Sequence, residues 1–283
     1  MEIIKSGLNR LDKKLNGGFR KDSLAVIAGR PGMGKTAFAL QIAGNITKNG
    51  YNVILFSLEM SKDTVLERMA KQGVDNECHI IIDDTPAISV EYIADKAKSC
   101  EKVDAIIIDY FQLLRGNESH NCDNKIDEAF YNSDALKHLA KELNASVIVT
   151  SQISRPTLER SDKKPSLADF QNSGAIVNDA DIIIFTYLEA YDPDKPKLFR
   201  RDELIIAKNN FGYTGYVETK WDGINLSFIE NKVFEFSHDD FYPFFSEEEA
   251  AELGLRKVSE DEQNDISFLV NDEFVSYFTA RPP

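Results

Sequence analysis

The sequence predicts an α/β fold: a mainly parallel central sheet, helices flanking it, and antiparallel strands at one edge. Short apolar runs alternate with amphipathic stretches along most of the chain, the pattern of βαβ units. A glycine-rich octet, Gly29-Arg30-Pro31-Gly32-Met33-Gly34-Lys35-Thr36, stands between an apolar run and an amphipathic one. No internal repeat interrupts the pattern.

The elements follow in chain order. Leu24–Ala28 is short and apolar and ends at a glycine, as a buried strand does. From Thr36 to Lys48, Ala39, Ile42, Ala43 and Ile46 fall at helical spacing, and Gly50 stops the helix. Asn52–Ser57 is a second buried strand. Ser61 is an N-cap for a helix running to about Gln72. His79–Ile82 is a short strand before the turn Asp83-Asp84-Thr85-Pro86. Ser89–Glu101 is helical, with Ile93, Ala94 and Ala97 on one face, and Ala105–Asp109 is a strand. Residues 115–125 are a polar loop. Glu128–Leu143 is amphipathic, with Leu136, Leu139, Ala140 and Leu143 facing a core. Ser146–Thr150 is a strand, and residues 154–166 form a second polar loop. Asp181–Tyr187, Glu203–Ala207, Tyr216–Trp221 and Leu226–Ile229 read as further strands, with antiparallel pairs at the sheet edge.

Composition narrows the function classes. Hydrophobic residues make up 42% of the 283, enough for a substantial core. No stretch approaches the roughly 18 apolar residues of a membrane span, and the first residues lack a signal-peptide layout, so a cytoplasmic protein is expected. Cys78, Cys100 and Cys122 are odd in number and show no close metal-type pairing, the pattern of reduced thiols. The net charge is −14, unusual for a nucleic-acid binder. Residues 235–283 hold 13 acids and three bases, while residues 1–234 hold 34 acids and 30 bases. The expected organisation is therefore a main domain over 1–234 and an acidic, aromatic-bearing tail over 235–283. The mild acidity of the first part leaves room for a local basic groove. The tail interleaves Phe241, Tyr242, Phe244, Phe245, Phe268, Phe274, Tyr277 and Phe278 with Asp and Glu. It reads either as a segment that docks on a partner or on a basic groove of the first part, or as a packed extension.

The octet fits G-x-x-x-x-G-K-[ST], the phosphate-binding P-loop, in its proper strand–loop–helix context. Its glycines let successive N–H groups point at a phosphate, and the helix N-terminus favours an anion. Lys35 reaches the outer phosphates and the Thr36 hydroxyl ligates Mg²⁺. Ligands of parallel sheets bind at the carboxyl ends of the strands, so strand-end polar residues matter. Asp109 ends an apolar strand, the position of a Mg²⁺-holding acid, or else is a surface cap. Glu59 follows the strand ending at Ser57 and can orient or deprotonate water, or else caps the next helix. Gln152 lies just beyond a strand end, where an amide can bond a γ-phosphate, or else is an ordinary loop residue.

Several further stretches join these: Ser6-Gly7-Leu8-Asn9-Arg10-Leu11-Asp12, Phe56-Ser57-Leu58-Glu59-Met60-Ser61, Ile82-Asp83-Asp84-Thr85-Pro86 and Ile108-Asp109-Tyr110-Phe111-Gln112-Leu113. Beyond them come Leu139-Ala140-Lys141-Glu142-Leu143-Asn144, Ser151-Gln152-Ile153-Ser154-Arg155, Ser173-Gly174-Ala175-Ile176, Asp179-Ala180-Asp181 and Ile206-Ala207-Lys208-Asn209. In this order the sequence resembles the RecA-like ATPase domain of DnaB-type replicative helicases, from about Ile4 to Val217. The resemblance implies a RecA-like P-loop NTPase fold and an ATP- and Mg²⁺-dependent ring, usually a hexamer, around single-stranded DNA in replication. It implies Glu59 as catalytic base, Lys35 and Thr36 on phosphate and Mg²⁺, Asp109 on Mg²⁺ and Gln152 as γ-phosphate sensor. Lys208 would reach into a neighbour's ATP site. The loops at 115–125 and 154–174 would face the channel, with Arg155, Arg160, Lys163, Lys164, Gln171 and Gly174 as nucleic-acid candidates.

Three departures stand out. The family's Lys-x-Arg is here Lys208-Asn209-Asn210, and the missing arginine is the family's finger in trans. Asn210 has no charge and makes no bidentate contact; Arg200 or Arg201 are candidates to replace it. The family's Asp-Leu-Arg-Glu-Ser-Gly is here Asp169-Phe170-Gln171-Asn172-Ser173-Gly174, which trades a cation for an amide and lowers salt-dependent affinity for phosphate. The resemblance begins near the start of the chain, without the family's N-terminal domain. A helicase or translocase is thus the first expectation. The alternative is an ATP-binding accessory protein that docks on another helicase subunit or ring, with weak ATPase alone. A recombinase-like filament ATPase is a third.

Overall fold

Continuous apolar runs build the centre of the molecule. The computed structural model describes residues 2–74, 79–116, 124–153, 163–170, 174–189 and 202–230, with the backbone of 233–234 and 268–269. The chain divides into two units, residues 1–229 and 230–283. In the second, β12 (Val233–Phe234) and β13 (Phe268–Leu269) pair antiparallel.

In the first unit, β1 (Ile3–Ile4), α1 (Asn9–Lys14) and β2 (Phe19–Arg20) come before the sheet, with β1 and β2 paired antiparallel. Then follow β3 (Leu24–Gly29), α2 (Lys35–Lys48), β4 (Val53–Ser57), α3 (Lys62–Lys71), β5 (Ile80–Asp83), α4 (Val90–Lys98) and β6 (Ala105–Asp109). A 3₁₀ turn at Phe111–Leu113 leads on to α5 (Lys125–Leu143) and β7 (Ser146–Gln152). Another at Leu167–Asp169 precedes α6 (Gly174–Asp179), β8 (Ile182–Tyr187), β9 (Asp202–Asn209), β10 (Gly215–Asp222) and β11 (Ser227–Glu230).

The main sheet has nine strands in the order β11-β10-β9-β8-β3-β7-β6-β4-β5. From β8 to β5 all pairings are parallel, while β9 pairs antiparallel with both β8 and β10. The expected mainly parallel sheet with antiparallel edge strands is therefore present. Strand residues alternate between two cores. Ala25, Ile27, Leu55, Ile107 and Ile148 pack with α1, α2 and α3 on one face. Val26, Ala28, Phe56, Ile108 and Val149 pack with α4, α5 and α6 on the other. Burial on both faces is why the strands read as unbroken apolar runs. Full burial of a side chain such as Phe38 contributes about 1.5–3 kcal/mol.

Caps mark the helix starts. Ser61 and Ser89 accept from the N–H groups of Thr64 and Tyr92, and Asn124 accepts from those of Ile126 and Asp127; each such cap is worth about 1 kcal/mol. Boundaries differ from the sequence reading by a few residues: α4 ends at Lys98, α5 starts at Lys125, β5 spans Ile80–Asp83, and β7 runs on to Gln152. The β1–β2 pair, α1 and α6 are additions to that reading. Among the described residues no helix is long and apolar enough to cross a membrane.

Candidate functional site

The carboxyl edge of the parallel strands carries the P-loop. Gly29 ends β3 and Lys35 opens α2. Gly34 at φ 80° and Gly32 at φ 79° adopt the left-handed backbone that glycine tolerates. A Cβ on Gly29 would lie 2.7 Å from Thr186 Oγ1, and one on Gly34 would lie 3.0 Å from the Phe228 ring. The loop is thus gripped on both sides. No side chain caps the first turn of α2, so its N–H groups are available to an anion.

Strand register gathers the other groups. Ser57 pairs across from Asp109, and Gly29 pairs across from Gln152. Thr36 Oγ1 donates to Asp109 Oδ1 at 3.2 Å, and Thr150 Oγ1 donates to the same oxygen. Asp109 is 2% exposed, which excludes a surface strand cap. Its Oδ2 is buried with no hydrogen-bond partner. Such an oxygen is costly when unmatched. A carboxylate and a hydroxyl side by side are the hard-oxygen donors that Mg²⁺ takes, so the residues fit this cofactor.

Lys35 is half-buried and donates to the Arg30 carbonyl at 3.0 Å, across the loop. Desolvation pulls its ammonium below the usual lysine range, opposed by the carboxylates of Asp109 and Glu59. Tyr110 is pushed up by burial and by the same two carboxylates. These effects bring Lys35, Glu59, Asp109 and Tyr110 into one neighbourhood. Glu59 is exposed, and the cap of α3 is Ser61, so Glu59 is not the helix cap. Gln152 is exposed at the tip of β7. The structure therefore brings Lys35, Thr36, Glu59, Asp109 and Gln152 to one edge of the sheet.

Sequence reasoning assigned no role to several neighbours. Thr150 is inside a strand, and only its contact with Asp109 marks it. Thr186 Oγ1, beside Gly29, is buried without a hydrogen-bond partner. Trp221 and Phe228 pack edge-on, centroids 5.1 Å apart, against Gly34. Gln112 bonds the backbone of Gln152.

The model of the DnaB-like helicase C-terminal domain matches residues 4–75 and 71–230. The chain belongs to that family. It is 36% identical over 245 residues to the replicative DNA helicase DnaB of Geobacillus stearothermophilus, covering 76% of this chain and 54% of that one. It is 35% identical to the replicative DNA helicase DnaC of Bacillus subtilis, covering 76% and 53%. Among solved structures, one described as an ATPase domain superposes with a TM-score of 0.77 at 31% identity, covering 82% of this chain and 92% of that one. A DnaB-like replicative helicase, described with its interactions with primase, superposes with a TM-score of 0.74 at 31% identity, covering 81% and 62%. The chain spans about half the length of the curated DnaB-type relatives it matches.

Lys208, near the end of β9, and Asn210, just beyond it, are both bonded within the subunit. Lys208 Nζ donates to the carbonyls of Val177 and Asn178, at 2.8 and 2.9 Å, at the end of α6. Desolvation and Lys137 lower its pKa, against Asp181 and Asp179. The Asn210 amide donates to Asp181 Oδ1 at 3.3 Å. Among the nucleic-acid candidates, Lys164 pairs with Glu203 at 2.6 Å and lies over the Tyr216 ring. Lys163 also makes an interaction within the protein. Gly174 opens α6. Arg155, Arg160 and Gln171 lie outside the described residues, as do Cys78, Cys122, Arg200, Arg201 and most of the tail.

Proposed function

We propose that this chain is the motor of an ATP-dependent DNA helicase or translocase of the DnaB replicative type, acting on single-stranded DNA as a homo-oligomeric ring. The observation that carries the reading is the Thr36–Asp109 contact beside an unmatched carboxylate oxygen, with Glu59 and Gln152 at the same sheet edge.

In this reading the α2 N-terminus and Lys35 bind the phosphates. Thr36 and Asp109 would hold Mg²⁺, which would offset the charge of the bound phosphates. Glu59, exposed and near Lys35, orients the attacking water and accepts its proton. Gln152 bonds the γ-phosphate. Lys208 leaves the α6 carbonyls to enter a neighbour's site.

A second reading, an accessory subunit on another helicase ring, is favoured by one observation. Position 210 holds an amide bonded within the subunit, where the family has an arginine finger. Fingers supply about 10³–10⁵ in rate.

Steady-state ATP hydrolysis with and without single-stranded DNA tests the choice, with Glu59→Gln as the control. The expected result is DNA-stimulated turnover that the substitution abolishes. ATP binding with negligible turnover under both conditions would favour the accessory reading.

A further inference from the structure

The pairing between β6 and β7 stops early. Its last register pair is Ile108↔Val149, three residues short of Gln152. On the other side of β7 the ladder continues: Gly29 pairs with Gln152, and the Ile153 N–H reaches the Gly29 carbonyl at 3.2 Å. The tip of β7 would therefore have a free edge towards β6.

Gln112 fills that edge. Its Oε1 accepts from the Gln152 N–H at 3.2 Å, and its Nε2 donates to the Gln152 carbonyl at 2.9 Å and to Ser151 Oγ at 3.0 Å. A glutamine amide carries one acceptor and two donors in the planar arrangement of a peptide group. The side chain thus substitutes for the missing strand residue, and the two-point bond to one peptide fixes its orientation.

Gln112 sits three residues after Asp109, in the 3₁₀ turn that β6 enters directly. Phe111 and Leu114 anchor that turn in the core, at 3% exposure each. The clamp therefore links the strand end bearing the Mg²⁺-type carboxylate to the strand end bearing the γ-phosphate amide.

We infer that Gln112 is the positioning residue of Gln152: it holds the sensor's backbone at a fixed offset from Asp109 and the P-loop, so that the Gln152 amide meets the γ-phosphate. This rests on the reading of Gln152 as sensor, but the clamp itself is open to a separate measurement. Holding a reacting group in place matters steeply, since a shift of about 1 Å costs roughly 10²-fold in rate.

The test uses the full chain and three variants: Gln112→Met, Gln152→Ala and the double variant. Gln112 is exposed, and methionine keeps its length without either hydrogen bond. The first readout is amide hydrogen exchange over residues 146–153, which needs no turnover. The expected result is exchange about tenfold faster at the Gln152 amide in Gln112→Met. Unchanged exchange there overturns the inference, whatever the activity. The second readout is ATP turnover. Gln112→Met should lower kcat roughly 10- to 100-fold, leave KM within about twofold, and cause no further loss in the Gln152→Ala background. Losses that multiply in the double variant also overturn the inference, because Gln112 would then act independently of Gln152. Full turnover in Gln152→Ala alone would instead remove the sensor reading, with the exchange result still deciding the clamp.

Discussion

Asn210 and Lys164 show how one side chain's local partner limits what it offers outside. The Asn210 amide is turned inward onto Asp181, which also receives Lys137 and the Leu24 N–H. If the motor reading holds, Asn210→Arg restores a trans cation and raises DNA-stimulated turnover. The gain should be at least tenfold yet below the full effect of a finger, about 10³–10⁵, because Asp181 competes for the guanidinium. Turnover measured as a function of protein concentration checks it, since a trans contact needs assembly. Lys164 is tied to Glu203, whose carboxyl is raised by burial, with Glu218 and Glu189 reinforcing and Lys164 opposing. A raised acid favours the folded state when protonated. Stability should therefore fall as pH rises from about 4.3, the free glutamate value, through the higher folded pKa. Lys164→Met should steepen that fall, and adding Glu203→Gln should abolish it. Urea titrations across pH 4 to 8 would show this, and an unchanged slope in Lys164→Met would refute it.

Between elements, the same physics joins strand ends that backbone pairing does not reach. Gln41 clamps Phe228 through both backbone groups at 2.8 Å, tying β11 to α2 next to the P-loop. At the opposite sheet edge, Asp104 is fully buried and accepts from Lys21 at 2.7 Å and from the Asn52 N–H at 2.9 Å. Burial alone would raise the Asp104 pKa, but those bonds outweigh it and the carboxyl is lowered. Burial alone would lower Lys21, but its bonds to Asp104 and Glu2 outweigh that and raise it. The Asp104 contribution is thus present above about pH 3.9 and lost as pH falls through its lower folded value. That of Lys21 is present below about pH 10.4 and lost as pH rises through its higher one. Asp104→Asn should cost less at pH 7 than the about 3–5 kcal/mol of a fully broken buried pair, because Lys21 keeps Glu2 at 2.6 Å, with the difference shrinking below about pH 4. Denaturation at pH 7 and at pH 3 measures both. What was legible follows from range. Strands such as Ala105–Asp109 are apolar on both faces, and Ser61 signals its helix locally. The two-residue strands β1 and β2 and six-residue α1, whose N-cap Leu8 has no capping side chain, carry too few residues for a period. P-loop chemistry was legible because its spacing is local. The Gln112 clamp crosses 40 residues and exists only once β6 and β7 lie side by side.

At the scale of the molecule, charge separates along the chain. Among the described residues, both cores draw only on positions between Ile4 and Phe228. Residues 235–283 carry 13 of the 47 acids and only three of the 33 bases. Removing residues 236–283 should therefore leave the first unit folded, with a thermal midpoint within a few degrees of the full chain; a change of 1 kcal/mol moves a domain of this size by roughly 2–4 °C. The same deletion takes away most of the excess negative charge. A polyanion approaching the remaining residues then meets less repulsion, so that, on the proposed function, the effect is read with DNA. Single-stranded DNA should bind more tightly to the shortened chain at low ionic strength. The advantage should shrink as salt rises and the Debye length falls to about 8 Å at 0.15 M. Fluorescence anisotropy of labelled oligonucleotide over a salt series checks it, alongside thermal unfolding. Equal affinity at low salt would show that the tail's charge does not act on the binding surface, and loss of folding would show that the acidic segment completes the core.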